Sequence, residues 1–222
     1  DGKSYHGFEG DTLASALLSN GVHLVGRSFK YHRPRGIMSC GSEEPNAICQ
    51  INEDTDLTEP NVRATEIELY EGLKASSQNC WPSVNFDIGG INNFISPFIP
   101  AGFYYKTFMW PKSFWKKIYE PLIRWSAGLG KSPTKPDPEL YDHKHVHCDV
   151  LIIGGGISGI IASKIAAKNN FKTILIEDKN ILGGSTIFQK NENYKINDKY
   201  SGVWIDEEIA ELKKLDNLTI KT

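Results

Sequence analysis

The sequence lacks the features that mark secreted, membrane-spanning and nucleic-acid-binding proteins. It has only four cysteines in 222 residues, and their irregular spacing does not indicate a disulfide framework. No run of about 18 apolar residues is present, no secretion signal opens the chain, and the formal net charge is −2. Such a charge creates no field that attracts nucleic acid or membrane. We therefore expect a cytoplasmic protein that binds neither.

Few residues follow the start of the nucleotide-binding signature. It begins at Asp1 rather than at a methionine. The stretch from Asp149 to Thr222 is far shorter than the roughly 130–150 residues that a complete dinucleotide-binding domain needs. We therefore expect this sequence to be a piece of a longer polypeptide, cut at both ends.

Residues 1–75 are predicted to form a small α+β domain. A helix is expected between Asp11, its predicted N-cap, and Gly21, which ends it. Apolar and polar residues alternate at 47–51 and 65–70, and this alternation predicts strands. A helix among short strands is typical of a small α+β domain.

Residues 76–147 are rich in Trp, Phe, Tyr and Pro, and the prolines argue against long regular elements. Such a connecting segment usually covers neighbouring domains and buries its aromatic side chains against them. Charge is uneven as well, because acids concentrate at 41–71 and bases at 102–136. Two interpretations stay open: a pair of solvated faces, or a docking surface for a partner.

Residues 148–222 open with "CDVLIIGGGISGIIASKIAAKNNFKTILIED", which has the pattern of a βαβ unit. The predicted elements are, in order, a buried strand (Asp149–Ile153), a helix (about Ser158–Asn169), a strand (Lys172–Glu177) and a second helix (about Asp206–Lys214). This order is typical of the first part of a Rossmann-type FAD/NAD(P)-binding domain. The predicted fold class is therefore α/β combined with α+β.

The turn after the first strand satisfies G-x-G-x-x-G in the context that a dinucleotide site requires. Gly154 permits the tight turn, Gly156 leaves room for a pyrophosphate, and Gly159 lets helix and strand pack closely. The helix N-terminus directs free N–H groups and positive dipole at the phosphates. Glu177 ends the second strand, where a carboxylate binds a ribose hydroxyl and favours NAD or FAD over NADP. The alternative is a glycine-rich turn that binds nothing.

A second glycine pair, in Leu182-Gly183-Gly184, follows this acid closely. In flavoproteins with two dinucleotide-binding domains, an acid followed by such a pair resembles the loop beneath the adenosine and pyrophosphate. The candidate cofactor-binding residues are Gly154, Gly155, Gly156, Ile157, Ser158, Gly159, Glu177, Asp178, Gly183 and Gly184. Both NAD and FAD remain candidates, because they share the ADP half that these residues would contact.

The stretch "CGSEEPNAIC", from Cys40 to Cys49, has the outline of an iron–sulfur loop. A plant-type two-iron cluster needs C-x4-C-x2-C and a later fourth cysteine. The required positions hold Pro45 and Ile48, and Cys49 is one residue out of place. Cys80 is a distant candidate for the fourth ligand, but two thiolates are missing. We expect a ferredoxin-like (β-grasp) domain without its metal site.

Two further polar clusters are weaker candidate sites. His143, His145 and His147 alternate in "HKHVHC", and they suit zinc if the segment is extended or are surface residues of a linker. The block "GRSFKYHRPRG" gathers Arg27, Lys30, His32, Arg33 and Arg35. It suits an anion or an acidic partner loop, or it balances the acids at 43–44 and 53–59. We expect neither a metal site nor a catalytic residue in this chain.

These motifs resemble the N-terminal part of the α subunit of heterotetrameric sarcosine oxidases. The resemblance is carried by "FEGDTLASALLSNGVHLVGRSFKYHRPRGI", "GSEEPNA", "GFYYKTFMWP" and "HCDVLIIGGGISG". The basic block is shared with opine oxidase, hydrogen cyanide synthase and dye-linked proline dehydrogenase relatives, whose next loop holds cluster cysteines. Pro45 and Ile48 set this chain apart from those relatives.

The resemblance implies a division of tasks within a complex. It implies a cluster-free ferredoxin-like domain (1–75), a connecting segment (76–147) and an NAD-holding domain (148–222), with a tetrahydrofolate-binding domain further along the α subunit. It also implies β, γ and δ subunits, an FAD in the β subunit that oxidises the N-methyl group of sarcosine, and a covalent FMN at the α–β interface. The implied products are glycine, hydrogen peroxide, and formaldehyde or methylene-tetrahydrofolate.

Two other functions stay open at this point. The chain is compatible with a related amine or imino-acid dehydrogenase that holds FAD in this fold and passes electrons to a quinone or dye. It is also compatible with a non-redox assembly scaffold whose nucleotide is structural. Dimethylglycine and other N-methyl amines are alternative substrates, and the piece by itself is expected to be inactive.

Overall fold

The structure, a computed structural model, describes residues 2–98, 102, 107–189 and 194–222. The chain divides into two units, residues 1–140 and 141–222. In the described part of the chain, no helix is both long enough and apolar enough to cross a membrane.

The first unit is built on short antiparallel strands and one helix. Its regular elements up to residue 77 are α1 (Leu13–Ser19), β1 (Gly26–Arg27), β2 (Pro34–Arg35), β3 (Ile48–Ile51), β4 (Glu59–Arg63) and β5 (Ala75–Ser77). Strands β1 and β2 form a hairpin, and β3 lies between β4 and β5 in an antiparallel sheet. Leu13 and Ala14 of α1 pack with Cys49 and Ile51 of β3 in the core.

Helix α1 begins one residue later than the sequence predicts. Thr12, not Asp11, is the N-cap, since its side chain accepts a hydrogen bond from the Ser15 N–H at 3.2 Å and the Ser15 hydroxyl accepts one from the Thr12 N–H at 2.9 Å. Asp11 instead accepts from the Phe8 N–H at 2.9 Å and from the Ser15 hydroxyl at 2.8 Å. The prediction of Asp11 as the cap was therefore wrong, because a Thr–Ser capping box lies beside it.

The predicted strand at 65–70 is absent, and this prediction was wrong. The strand lies earlier, at β4, where it pairs with β3. The backbone after β4 bonds to the start of α1 instead: the Ile67 carbonyl accepts from the Leu13 N–H at 2.9 Å, and the Leu69 N–H donates to the Asp11 carbonyl at 2.9 Å. The first bond gives a partner to the Leu13 N–H, which has none within the helix. Both bonds also satisfy backbone groups of the loop.

After β5, the described part of the aromatic segment has only short helices. They are a 3₁₀ turn (Ile88–Gly90), α2 (Ile91–Phe94), a second 3₁₀ turn (Ser96–Phe98), a π-helical turn (Trp115–Tyr119) and α3 (Glu120–Ala127). His32 attaches this segment to the small domain. One of its ring nitrogens lies 2.7 Å from the Asp87 carboxylate and the other lies 2.9 Å from the Ser126 carbonyl oxygen.

The second unit contains a three-stranded parallel sheet with two helices. Its elements are β6 (Val150–Ile153), α4 (Ile157–Lys168), β7 (Thr173–Ile176), a 3₁₀ turn (Gly184–Gln189), β8 (Lys195–Ile196), β9 (Lys199–Tyr200), α5 (Ser201–Leu212) and β10 (Leu218–Lys221). The sheet order is β10-β7-β6, with all pairs parallel. The βαβ prediction is therefore confirmed.

Two details of this unit differ from expectation. Helix α5 begins at Ser201 rather than at Asp206, because Trp204 and Ile205 extend its apolar face and are buried in the core. Strand β6 is not buried on both faces, since Leu151 is 53% and Ile153 81% exposed. The side chains of β6 alternate between a covered face and an open one, as in any strand with one face uncovered.

Helices α4 and α5 are joined by apolar packing and by ion pairs. Ile160 of α4 packs with Trp204 and Ile205 of α5 in the core. Lys164 lies 2.6 Å from Glu208 and 2.8 Å from a carboxylate oxygen of Glu211. The hydrogen bond to Glu208 raises the pKa of Lys164 above its ordinary value. These contacts hold the two helices against each other.

We expect Gly159→Ala to disrupt this unit. A Cβ at residue 159 would lie 1.8 Å from the Gly154 carbonyl oxygen, so α4 must move away from β6. The free energy of unfolding should fall by about 3 kcal/mol or more, at the upper end of overpacking effects. Native-state hydrogen exchange of the α4 amides measures the loss. Ser158→Ala is the control, and equal exchange in the two variants would contradict the prediction.

Candidate dinucleotide-binding site

The glycine-rich turn joins the carboxyl end of β6 to the start of α4. Gly154 has φ of +99°, a left-handed conformation that a side chain would strain. Its N–H donates to the Ile176 carbonyl at 2.7 Å. This bond ties the turn to the end of β7, so the turn lies where parallel strands of this fold place their ligands.

The first turn of α4 is open and uncapped. Gly156 is the N-cap, no side chain caps the helix, and a Cβ at Gly156 would meet no atom within 4 Å. The first N–H groups, including those of Ile157 and Ser158, have no partner within the helix, because an α-helix leaves its first donors unpaired. An anionic phosphate oxygen fits such donors, and the positive end of the helix dipole favours it.

Glu177 lies against this turn. One of its carboxylate oxygens accepts a hydrogen bond from the Gly155 N–H, and the other accepts from the Lys179 N–H at 3.2 Å. The carboxylate is half-buried. A hydrogen bond with Glu177 also lowers the pKa of the neighbouring Asp178. Two acidic side chains therefore stand at the end of β7, beside the glycine turn.

The second glycine pair packs directly on the first turn. Gly183 and Gly184 both have positive φ, at +127° and +54°. The Gly183 N–H donates to the Gly155 carbonyl at 2.8 Å, and a Cβ at Gly184 would lie 3.0 Å from the Gly156 Cα. The structure thus brings all ten sequence-predicted candidates into two adjoining segments. Their assignment to a cofactor stays a prediction.

Sequence reasoning overlooked two residues beside the turn. Leu182 is buried, and its Cδ2 lies 2.4 Å from where a Cβ on Gly155 would be. Thr186 is 1% exposed, and its hydroxyl has no hydrogen-bond partner among the described residues. The position of Leu182 beside the glycine pair could have identified it from the sequence, whereas nothing in the sequence marks Thr186.

An ADP half fits this site, which combines an open glycine, free helix donors and nearby acids.

The cysteines of the first unit do not fill the C-x4-C-x2-C positions. Cys49 is buried in the core, where burial raises the pKa of its thiol to about 11, and its Sγ lies 3.6 Å from the Val62 carbonyl oxygen. Cys40 is exposed. Pro45 and Ile48 occupy the positions where thiolates are needed. Among the described residues, no group of three or more His, Cys, Asp or Glu is placed to hold a metal.

The two weaker candidate clusters differ in outcome. His143, His145 and His147 are exposed. In the basic block, Arg27 donates to the Val84 carbonyl at 2.8 Å, and Arg33 donates to the Asn93 side chain at 2.7 Å. His32 bonds Asp87 and Ser126, as described above. These three residues hold the aromatic segment in place, and the bonds described here pair none of them with the acids at 43–44 or 53–59. The anion-binding alternative for the block stays a prediction.

Comparisons with known protein families match two separate parts of the chain. Residues 1–80 match a family described as "2Fe-2S iron-sulfur cluster binding domain", and residues 149–214 match "FAD dependent oxidoreductase". The sarcosine oxidase subunit alpha of Rhizobium meliloti (strain 1021) is 49% identical over 220 residues, which cover 99% of this chain and 22% of that subunit. The corresponding subunit of Corynebacterium sp. (strain P-1) is 30% identical over 99% of this chain and 18% of that subunit.

A solved structure shows the same fold. The L-proline dehydrogenase of P. horikoshii superposes with a TM-score of 0.53 at 20% identity, over 100% of this chain and 31% of that one. At this identity the likeness concerns the fold alone. The predicted combination of a ferredoxin-like and a FAD/NAD(P)-binding domain is confirmed, as is the homology to sarcosine oxidase alpha subunits. The chain spans about a fifth of the length of these curated relatives, 22% and 18%.

The thiols offer a test of the cluster loop. We expect Cys40 to be alkylated at least about 100-fold faster than Cys49 at pH 8, since only exposed thiolates react and burial raises the pKa of Cys49 to about 11. Timed iodoacetamide labelling of the native protein, read by mass spectrometry, gives both rates. Equal rates would contradict the prediction, and protection of both thiols that an iron chelator removes would indicate bound metal.

Proposed function

We propose that this chain is the nucleotide-holding part of the alpha subunit of a sarcosine oxidase complex. The observation that carries the proposal is the similarity to sarcosine oxidase alpha subunits over 99% of the chain. The complex would oxidatively demethylate sarcosine to glycine, with hydrogen peroxide and formaldehyde or methylene-tetrahydrofolate as the other products. Its β, γ and δ subunits would be the partners of this chain.

We further propose that the nucleotide is NAD. The uncapped start of α4 and the open space at Gly156 suit the pyrophosphate. Glu177 and Asp178 supply carboxylates where a ribose hydroxyl is bound in this fold, and a negative charge there disfavours a 2′-phosphate. The turn of Gly183 and Gly184 closes against the same backbone, and its two glycines carry no side chain toward Gly156.

In this proposal the chain holds the nucleotide and takes no part in amine oxidation. It has no residue assigned to the oxidation of an amine, which would occur at the FAD of the β subunit, with FMN passing electrons to oxygen. Residues 1–75 would be the ferredoxin-like domain, 76–147 the connecting segment and 148–222 the first part of the nucleotide domain. The bound NAD would be static, so the piece by itself is expected to be inactive.

A second candidate function has a specific observation in its favour. Residues 149–214 match an FAD-dependent oxidoreductase family, and FAD and NAD share the ADP half that the site would bind. The chain would then belong to a subunit of an amine or imino-acid dehydrogenase in which electrons pass through this domain. The identity of the nucleotide separates the two candidates.

An apolar stripe on the aromatic segment is the proposed contact with the later part of the same polypeptide. Ile118, Leu122 and Trp125 recur at a spacing of 4 and 3 residues and are 39–77% exposed. Such spacing places side chains on one helix face. The matched relatives are several times longer than this chain, which spans 22% of the first. In this proposal a later part of such a polypeptide would cover the stripe, since stripes of this kind pack against other helices.

The nucleotide proposal is tested by identifying what the protein binds. We expect the full-length subunit, purified with its partners and then denatured, to release about one NAD per α subunit by mass spectrometry, as one dinucleotide fold binds one dinucleotide. Release of FAD and no NAD from this subunit would instead support the dehydrogenase. Release of neither would contradict both.

We expect Gly156→Val to abolish nucleotide binding. The valine side chain would fill the open space at the pyrophosphate position, and no protein atom lies within 4 Å to be displaced. Nucleotide content should fall below about a tenth of the native level, since the backbone could no longer approach the pyrophosphate. Gly90→Val is the matched control, because its site is equally open but belongs to the first unit. Unchanged nucleotide content in Gly156→Val would remove this site from the proposal.

The stripe is tested by charge substitution in the full-length subunit. We expect Leu122→Glu to lower the thermal stability of the α subunit by several degrees, because a carboxylate would be buried without a partner. Lys117→Glu, which changes an exposed residue off the stripe, should leave it unchanged. An effect of Leu122→Glu that appears only in the assembled complex would identify another subunit as the partner. No effect in either state would contradict a contact at this stripe.

A further inference from the structure

The loop from 36 to 49 closes around a buried glutamate. Glu44 is 1% exposed. One carboxylate oxygen accepts hydrogen bonds from the N–H groups of Met38 at 2.7 Å and Ser39 at 2.6 Å. The other accepts from the N–H groups of Asn46 at 2.8 Å and Ala47 at 3.1 Å. Four backbone donors from both ends of the loop therefore converge on one side chain.

These donors favour the charged form of the carboxylate. Burial raises the pKa of Glu44, but the four backbone hydrogen bonds together outweigh it and leave the pKa below its ordinary value. Arg63 donates to the backbone carbonyl of Glu44 at 3.2 Å. Among the described residues, no Lys or Arg side chain forms an ion pair with its carboxylate. The negative charge is thus balanced by peptide N–H dipoles, which is how backbone cradles bind anions.

The four N–H groups around Glu44 form a backbone cradle, and this loop has one more donor than the carboxylate uses. The hydroxyl of Ser39 is buried and has no hydrogen-bond partner among the described residues. A buried hydroxyl without a partner is uncommon in native proteins. This hydroxyl is an unused donor on a residue whose N–H already binds the Glu44 carboxylate.

The position of the cradle connects it with the family that residues 1–80 match. In the C-x4-C-x2-C pattern the ligands would stand at Cys40, Pro45 and Ile48, and Glu44 lies inside that span. Iron–sulfur clusters accept hydrogen bonds at their sulfurs. We propose that the Glu44 carboxylate is the resident anion of this loop and holds together a cradle in which the matched family binds a cluster.

The proposal predicts that the cradle becomes a site for small carboxylates once Glu44 is truncated. Glu44→Ala, made in the full-length subunit with its partners, should speed hydrogen exchange of the amides of Met38, Ser39, Asn46 and Ala47 by about tenfold or more, because each loses a charge-assisted hydrogen bond. Added formate should restore their protection in a saturable way. Glu43→Ala removes the neighbouring exposed carboxylate and should change neither exchange rate nor response to formate.

Two results would overturn the proposal. One is unchanged exchange of the four amides in Glu44→Ala, which would show that the carboxylate does not hold the loop. The other is a formate effect of the same size in Glu44→Ala and Glu43→Ala, which would make it a general salt effect. If Glu44→Ala does not fold, Glu44→Gln keeps the size of the side chain and removes its charge. Faster exchange of the four amides is expected there too, and native rates would equally overturn the proposal.

Discussion

The close approach of α4 to the end of β6 is the constraint on which the candidate nucleotide site depends. Gly159 makes it achievable, since any side chain there would meet the Gly154 carbonyl. Because the helix begins against the strand, its first N–H groups lie at the carboxyl edge of the sheet, where the open side of Gly156 faces no protein atom. The loop with Gly183 then closes on Gly155, and the end of β7 supplies Glu177. Each later feature of the site needs the helix to start where it does.

The first unit depends on buried polar side chains more than on a large core. Its fully buried apolar residues are few and mostly small or medium in size, such as Ala14, Ala47 and Ile51. Polar side chains tie distant parts of the chain together instead. Glu44 joins the two ends of one loop, and His32 joins the small domain to Asp87 and to the end of α3. Buried polar groups that are fully bonded specify one arrangement, whereas unpaired ones would destabilise it.

The elements that rest on local pattern could be predicted from the sequence, and those that rest on tertiary hydrogen bonds could not. The βαβ unit was predictable because strand, glycine turn and helix each carry their own signal. The stretch 65–70 alternates like a strand, yet its backbone bonds to the start of α1, and no local pattern reveals that. Asp11 and Thr12 are both good N-caps, and the choice between them depends on Ser15. The place of Glu44 depends on loop closure across several residues.

The carboxylate of Glu44 also changes what the loop requires from its surroundings. An iron–sulfur centre must be assembled from imported iron and sulfide, and it changes charge when it takes up an electron. A glutamate arrives with the polypeptide and has no oxidation states to cycle through. With Glu44 as its resident anion, as proposed above, the loop would be complete as soon as the chain has folded, whatever the iron supply of the cell. In the proposed complex, which would release hydrogen peroxide, a loop held by a carboxylate would offer the oxidant no metal to attack.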